Sequence, residues 1–230
     1  MSPTGTSAVL RAGGQLQIVT GLPDAPRAQS PVNVPALGLL KALAVSDDGS
    51  LVLVVAGAGA DTALYSINLT GELRWLGALG QDARLSFANR SRSAAIAGVG
   101  TNELWILADA AGDFSLRRLS GPEAGMSGPV GVAFSDDNQR VLAAHSGGII
   151  RVNLDDAAVT GVGCSCAPTM LARMRGNSTF RLTELSDQPM WIVDGRAAAP
   201  QVWFVPPKAQ ASTDTGGNTE TRRPPPERRH

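Results

Sequence analysis

ALAVSDDGSLVLVVAG, residues 42–57, and GVAFSDDNQRVLAAHS, residues 131–146, place the same kind of polar turn between two apolar runs. Residues 2–5, 89–92 and 186–189 fill the same slot in three other stretches. We define a marker residue at or just before each turn. The markers are Ser2, Ser46, Ala88, Ser135 and Ser186, and their spacings are 44, 42, 47 and 51 residues. Repeats of this length are typical of propeller blades, and they indicate one unit used five times.

The runs within each unit keep one order. A continuous apolar run follows each turn, as in LVLVVAG (51–57) and SAAIAGV (93–99). Continuous hydrophobicity predicts a strand that is covered on both faces. A partly alternating strand comes next, with a large residue 17 to 19 positions after the marker in three units: Tyr65, Trp105 and Trp203. A more polar segment closes most units, so we predict an all-β propeller of four-stranded blades with the polar strand outermost. An open β-sandwich of the same strands is the alternative fold.

The unit boundaries fall at about 2–38, 39–81, 82–127, 128–168 and 169–207. By this division the first unit lacks its innermost strand and the last unit lacks its outermost strand, so the first and last blades are incomplete. We therefore expect the natural product to continue upstream of Met1. Residues 208–230 contain no large apolar residue, and we predict a disordered polar tail there.

Composition restricts the classes of partner. Twenty basic and twenty acidic side chains cancel, so no net charge attracts nucleic acid. The longest apolar runs reach about half the ~20 residues of a membrane-spanning helix, so we predict no membrane span. The segment MSPTGTSAVLRAGG (1–14) lacks a secretory signal pattern. If a signal peptide lies upstream, the expected location is extracytoplasmic, either periplasmic or secreted.

The turn SDDG (46–49), the strands NELWIL (102–107) and GIIRVNL (148–154), and the repeat length resemble the YVTN and NHL type of bacterial β-propeller repeat. CSCAPTMLARM (164–174), together with FRLTELSDQPMWIVDG (180–195) and QVWFVPP (201–207), is similar to the final blade of propeller proteins in acidobacterial genomes. Those relatives are longer at the N-terminus. The resemblance covers about residues 2–207; it implies a fold and says little about activity.

Cys164 and Cys166 are the only cysteines, and one residue separates them. On a strand they would share a face, and a bridge between them would be strained and redox-responsive. A structural disulfide in a bent loop, a pair of buried thiols, and a redox or metal role all stay open. The pair is the one candidate site that the sequence offers.

No set of residues predicts catalysis, a bound cofactor or a metal. His145 is the only histidine outside the tail, and we interpret it as a hydrogen-bonded structural residue. A triad with Ser146 or Ser135 and Asp136 is conceivable, but turn chemistry explains those residues. The acidic pairs 47–48, 136–137 and 155–156 are also typical of hairpins, and two adjacent carboxylates are too few for calcium.

Two functions remain. The first is a non-enzymatic scaffold or binding module that presents its loops and central channel to a protein, peptide or glycan, in the cell envelope or outside the cell. The alternative is a propeller hydrolase or lactonase with a metal in the channel, which requires acids on several inner strands. Among the strands that we assign as innermost, FRLTELS (180–186) in the fifth unit contains the clearest acid, Glu184, so the binding module is favoured.

Overall fold

The computed structural model describes residues 1–34, 37–174, 178–186, 188–197 and 199–207, which form five antiparallel sheets. Sheet 1 contains β1 (Ser7–Ala12), β2 (Gln15–Thr20), β3 (Arg27–Ala28) and β4 (Val32–Asn33). Sheet 2 contains β5 (Leu40–Val45), β6 (Leu51–Ala56), β7 (Ala63–Asn68) and β8 (Leu73–Ala78). Sheet 3 contains β9 (Ala83–Phe87), β10 (Ala94–Gly98), β11 (Glu103–Ala108) and β12 (Ser115–Ser120). Sheet 4 contains β13 (Gly131–Phe134), β14 (Arg140–His145), β15 (Gly148–Asn153) and β16 (Val159–Gly163). Sheet 5 contains β17 (Ala172–Arg173), β18 (Thr179–Arg181), β19 (Met190–Asp194) and β20 (Gln201–Val205).

Sheets 2 to 5 each follow chain order, from an inner strand to an outer one. Two short 3-10 turns lie at Gly59–Asp61 and Pro122–Ala124. The predicted all-β fold with four-stranded sheets is confirmed. The predicted tail, 208–230, lies outside the described residues. Within the described ranges no helix is long and apolar enough to cross a membrane.

Sheet 1 has only three strand positions. Strands β3 and β4 both pair with β2, at opposite ends of it, so they are two halves of one interrupted outer strand. Strand β1 pairs with β2 alone in the part of the chain that the structure describes. Among the described residues of the first unit there is therefore no inner strand beside β1.

The strand assignment in the fifth unit was wrong by one position. The sequence suggested FRLTELS (180–186) as its innermost strand, but β17 is innermost and β18 is second. The backbone N–H of Met174 donates to the carbonyl of Thr179 at 2.9 Å, as that of Ser46 does to Leu51 at 2.9 Å. Met174 is therefore the fifth marker. Strand β20 occupies the outermost position that we expected to be empty.

This shift also changes which aromatic residue belongs to the repeat. Trp191 on β19 lies 17 residues after Met174, and it takes the third-strand position of Tyr65 on β7 and Trp105 on β11. All three side chains pack against an inter-sheet core. Trp203 lies instead on the outermost strand and is 49% exposed.

Four hydrophobic clusters join consecutive sheets: one each between sheets 1 and 2, 2 and 3, 3 and 4, and 4 and 5. Every residue of β6 and β10 is buried, because sheets cover both of their faces. Each fully buried Val, Leu or Ile side chain contributes ~1.5–3 kcal/mol relative to exposure. None of the clusters formed by described residues joins sheet 5 to sheet 1.

Candidate functional site

The inner strands surround a central channel of about 990 Å3. Strands β5, β9, β13 and β17 line it together with residues 1–5 and 22–23 and the marker turns. Side chains such as Leu43, Leu85 and Val132 make the wall apolar. The polar lining residues belong to the marker turns or lie next to them, so polar groups collect at the turn end of the channel. They are Ser2, Thr4, Ser86, Asn89, Arg90, Asp136, Asn138 and Arg173, of which Ser86 lies on β9, two residues before the marker Ala88.

Hydrogen bonds link the marker turns of sheets 1, 2 and 3 through Asp47. Its Oδ1 accepts from the backbone N–H of Thr4 at 2.8 Å and from the Thr4 hydroxyl at 2.6 Å. Its Oδ2 accepts from the backbone N–H of Arg90 at 2.7 Å. One carboxylate thus connects three turns at the channel mouth.

A pair of asparagines joins the turns of sheets 3 and 4. The backbone N–H of Asn89 donates to Oδ1 of Asn138 at 2.8 Å, and Nδ2 of Asn138 donates to the carbonyl of Asn89 at 2.9 Å. Nδ2 of Asn89 donates to the carbonyls of Ser135 and Asp136, both at 3.0 Å. Asn138 has φ 58°, a left-handed conformation that asparagine tolerates better than most residues.

Arg173 connects sheets 4 and 5. Its guanidinium pairs with the Asp136 carboxylate, donates to the carbonyl of Phe134, and lies 4.9 Å from the ring centroid of Phe180. Burial lowers the pKa of Arg173, and the Asp136 carboxylate opposes that effect. The backbone N–H of Asp136 also donates to the hydroxyl of Ser178 at 2.9 Å. A chain of polar contacts therefore links the first four marker turns to Arg173 and Ser178, the described residues on either side of the fifth.

The second aspartate of each acidic turn has a different role from the first. Oδ1 of Asp48 accepts from the hydroxyl of Ser46 at 2.6 Å and from the backbone N–H of Ser50 at 2.9 Å. Burial raises the pKa of the Asp48 carboxyl, but these hydrogen bonds outweigh it and the pKa lies below its usual value. Asp137 is held in the same way by Ser135 and Gln139. Both carboxylates close their own turns.

Two other acidic side chains, those of Asp156 and Glu184, also do not reach the channel. Oδ1 of Asp156 accepts from the backbone N–H of Ala158 at 2.9 Å, a hydrogen bond that is typical of hairpin turns. Glu184 is exposed between β18 and β19 and does not line the channel, because β18 is not an inner strand. Among the described side chains, no three of the types His, Cys, Asp and Glu are grouped to hold a metal.

Cys164 and Cys166 are joined by a disulfide, with their Cα atoms 5.1 Å apart. Strand β16 ends at Gly163, so the two cysteines lie in a bend rather than on a strand. Cys166 is buried in the core between sheets 4 and 5, and Cys164 packs against it. The pair follows β16, the outermost strand of sheet 4, whereas the marker turn of that sheet joins its first and second strands. A redox role for it stays a prediction.

His145 ends β14, at the opposite end of that strand from Asp136 and its turn. Its Nδ1 accepts from the backbone N–H of Gly147 at 3.2 Å, and burial lowers its pKa. The Ser146 hydroxyl donates to the carbonyl of Ser127 at 2.8 Å. These contacts do not assemble the triad that could be written from the sequence.

Sequence reasoning missed the channel mouth. Asn89, Arg90 and Asn138 fall inside the repeated turns, and Arg173 immediately precedes the fifth marker. Their positions at or beside the markers were the available signal. That signal could be used only once the markers were known to surround an axis.

No protein family model and no curated protein matches the chain. Among solved structures it is similar to the β-propeller domain of Cps50 (Swd1) from Myceliophteria thermophila, with TM-score 0.57, 9% identity, and coverage of 89% of this chain and 72% of that one. It is similar to a putative TolB from Agrobacterium tumefaciens, with TM-score 0.60, 16% identity, and 90% and 79% coverage. A third similar structure is a putative 6-phosphogluconolactonase from Bacteroides fragilis, with TM-score 0.55, 14% identity, and 86% and 65% coverage.

At these identities the likeness shows the fold alone, and the fold is a β-propeller. The chain spans between 45% and 79% of the solved chains that it resembles.

Proposed function

We propose that this propeller is a non-enzymatic binding module that takes a protein segment, a peptide or a glycan at the turn end of its central channel. The observation that carries the proposal is the channel itself, about 990 Å3 with apolar walls and polar groups collected at one mouth. Binding sites commonly combine an apolar concavity with a few placed polar groups.

The polar groups at the mouth differ in what they can offer a ligand. The amides of Asn89 and Asn138 bond to the opposite turn, so they shape the mouth. The Asp136 side chain stays 47% exposed beside Arg173, and Arg90 is exposed. A ligand with an apolar portion for the wall and a polar portion for these charges fits the site best, and a peptide has both.

We also propose that the repeat is of the bacterial YVTN or NHL type, and that the protein acts in the cell envelope or outside the cell. The Cys164–Cys166 disulfide supports such a location, because disulfides persist mainly in oxidising compartments.

A hydrolase or lactonase with a metal in the channel is the second candidate, and similarity to a putative 6-phosphogluconolactonase is the observation in its favour. The residues at the mouth do not fit a metal. Asp136 is paired with Arg173, and Oδ1 of Asn138 accepts from the backbone N–H of Asn89. Oδ1 of Asn89 has no hydrogen-bond partner among the described residues, but one amide oxygen is too few for a metal site. We therefore derive no catalytic step through a metal.

Ser86 offers a direct test, because it lies on β9 and lines the channel. The wild-type protein is screened against an array of short peptides and glycans, and each hit is then measured on Ser86→Arg and on Ser86→Ala. The arginine would occupy the channel, so we expect it to weaken binding at least about tenfold, while alanine leaves affinity within about threefold. Thermal unfolding checks that both variants fold.

Two results would contradict the proposal: the absence of any hit, and hits that bind Ser86→Arg as well as wild type. A parallel assay of lactone and ester hydrolysis, with added calcium or zinc and then with a chelator, tests the second candidate. Metal-dependent turnover that Ser86→Arg abolishes would favour the enzyme.

A further inference from the structure

Three charged side chains line the central channel, those of Arg90, Asp136 and Arg173. Two of them neutralise each other, because the Arg173 guanidinium pairs with the Asp136 carboxylate. Arg90 is exposed, and in the part of the chain that the structure describes its guanidinium takes part in no hydrogen bond and no ion pair. The uncompensated side-chain charge on the channel is therefore positive.

Two acids near Arg90 are engaged in other contacts. Arg90 also borders a smaller cleft of about 220 Å3, which it shares with Asp47 and Asp48. Oδ1 of Asp47 accepts from Thr4, and Oδ2 accepts from the backbone N–H of Arg90. Asp48 is held by hydrogen bonds within residues 46–50. Neither carboxylate pairs with the Arg90 guanidinium within the described ranges, so both leave it available to a ligand.

The backbone of Arg90 also indicates a role for its side chain. Its φ is 50°, in the left-handed region. The marker turns of sheets 1, 2 and 4 contain a left-handed residue too, but there it is Gly5, Gly49 or Asn138, which tolerate this conformation. An arginine is strained in it. Strained residues occur often at ligand sites, so what the guanidinium binds explains this arginine better than turn formation does.

The channel wall is aliphatic. Leu43, Leu85, Val132 and Leu171 line it, and the one aromatic side chain among the described lining residues, Phe87, is buried. Leucine or valine side chains of a ligand would bury apolar surface on this wall. A sugar ring would instead place hydroxyl groups against it without hydrogen-bond partners, which costs free energy. The wall therefore favours a peptide over an acidic glycan.

We propose that the peptide bound by this channel is acidic, with a carboxylate that Arg90 binds and a neighbouring aliphatic side chain that packs on the wall. This inference rests on the binding module proposed above and narrows its ligand. An arginine holds a carboxylate through two parallel hydrogen bonds, and the attraction is stronger where the channel excludes part of the solvent. A glutamate or aspartate side chain and a peptide C-terminus both offer this group.

The probe is an array of peptides of about nine residues, rich in leucine and valine. Each peptide is made in four forms, with a central glutamate or glutamine and with a free or an amidated C-terminus. Hits on the wild-type protein are measured in solution by fluorescence anisotropy. We expect the form with the recognised carboxylate to bind about five- to tenfold more tightly than its amide counterpart. The pair of forms that shows this preference identifies the source of the carboxylate.

Arg90 and Arg92 supply matched variants of the protein. Both are exposed arginines of one marker turn, and of the two only Arg90 lines the channel. Arg90→Gln and Arg92→Gln change the net charge equally. We expect Arg90→Gln to weaken binding of the preferred form about five- to tenfold and to abolish the preference for the carboxylate, while Arg92→Gln changes affinity at most about twofold. Arg90→Lys should keep part of the preference, because the charge remains.

Urea denaturation separates this role of Arg90 from a structural one. Arg90→Gly relieves the left-handed strain, so we expect the free energy of unfolding to stay equal or to rise while the preference for the carboxylate is lost. A less stable Arg90→Gly protein would mean that the arginine serves the turn, and it would count against the proposal.

A blocking variant keeps this proposal distinct from the binding module itself. Ser86→Trp is used here, because Ser86→Arg would add a positive charge to the channel. Three results would overturn the acidic peptide and leave the module intact, provided that Ser86→Trp weakens binding. They are equal binding of the carboxylate and amide forms, equal effects of Arg90→Gln and Arg92→Gln, and hits that are confined to glycans. An absence of any hit, or binding that Ser86→Trp does not weaken, would refute the module.

Discussion

Asp47 illustrates how a single side chain acts between units rather than within one. It accepts three hydrogen bonds from Thr4 and Arg90, which belong to the turns on either side of its own. Asp47→Ala leaves two backbone N–H groups without this partner, so we expect it to lower the free energy of unfolding by ~1–3 kcal/mol. Urea denaturation measures the change, with Asp113→Ala at an exposed position as the control. Equal effects of the two substitutions would contradict a connecting role for Asp47.

Asp194 provides a residue-level pH dependence. Hydrogen bonds from Arg196 hold the pKa of this buried carboxyl below its ordinary value of 3.8. A depressed carboxyl pKa adds stability above the unfolded-state value, and that stability is lost as pH falls through the folded-state value. We expect Asp194→Asn to lower the free energy of unfolding by ~1–2 kcal/mol at pH 7. The loss should lie near the lower of these values, because Arg196 is half exposed. It should become progressively smaller below about pH 4, where the wild-type carboxyl also takes up a proton.

Urea denaturation at pH 7, 5 and 3 checks the sign of this effect. The comparison is the difference between wild type and Asp194→Asn at each pH, with Asp113→Asn as the surface control. A difference that stays constant down to pH 3 would mean that the ion pair does not set the acid dependence.

At the scale of the element, sequence predicts a strand well when both its turn and its apolar run are strong. Strands β6 and β14 follow Ser-Asp-Asp turns and contain continuous apolar runs, LVLVVA and VLAA, and both were predicted. Strand β17 has only two residues, so its apolar run is weak, and the fifth marker is a methionine where three of the other four markers are serine. The sequence analysis placed the fifth marker turn at residues 186–189 instead, because those residues are turn-like. This error displaced every predicted strand of the fifth unit by one position.

The corrected position of β18 can be tested through Phe180. As a second-position strand, β18 buries Phe180 completely in the core between sheets 4 and 5. We expect Phe180→Ala to destabilise the protein by ~3–5 kcal/mol because it leaves a large cavity. Phe204→Ala on β20 is the matched control, since Phe204 is 52% exposed, and we expect it to cost ~1 kcal/mol or less. Similar losses in thermal or urea unfolding would argue against this strand order.

At the scale of the whole molecule, the repeat could be predicted and the channel mouth could not. The period and the apolar runs require only local sequence. The Asn89–Asn138 contact joins residues 49 positions apart, and the Arg173–Phe134 contact joins residues 39 apart. Both arise only after consecutive sheets stack around an axis, so no local pattern marks those side chains as neighbours.

The stacking also predicts a gradient of stability along the molecule. In repeat proteins each unit is stabilised mainly by its neighbours, and sheets 2, 3 and 4 have a hydrophobic cluster on both sides. Among the described residues, sheet 1 packs only on sheet 2, and β1 pairs only with β2. Among the second-position strands, we expect amide hydrogen exchange to be fastest in β1 and slowest in β10 and β14. Local opening of sheet 1 breaks fewer contacts, because this sheet has a packed neighbour on one side only. Exchange measured by mass spectrometry at peptide resolution tests this, and the comparison within one strand position removes the effect of the exposed outer strands.

If β1 exchanged as slowly as β10, its inner edge would be covered in solution. The stability gradient would then be absent at sheet 1, because β1 would have a second neighbour that the described residues do not show.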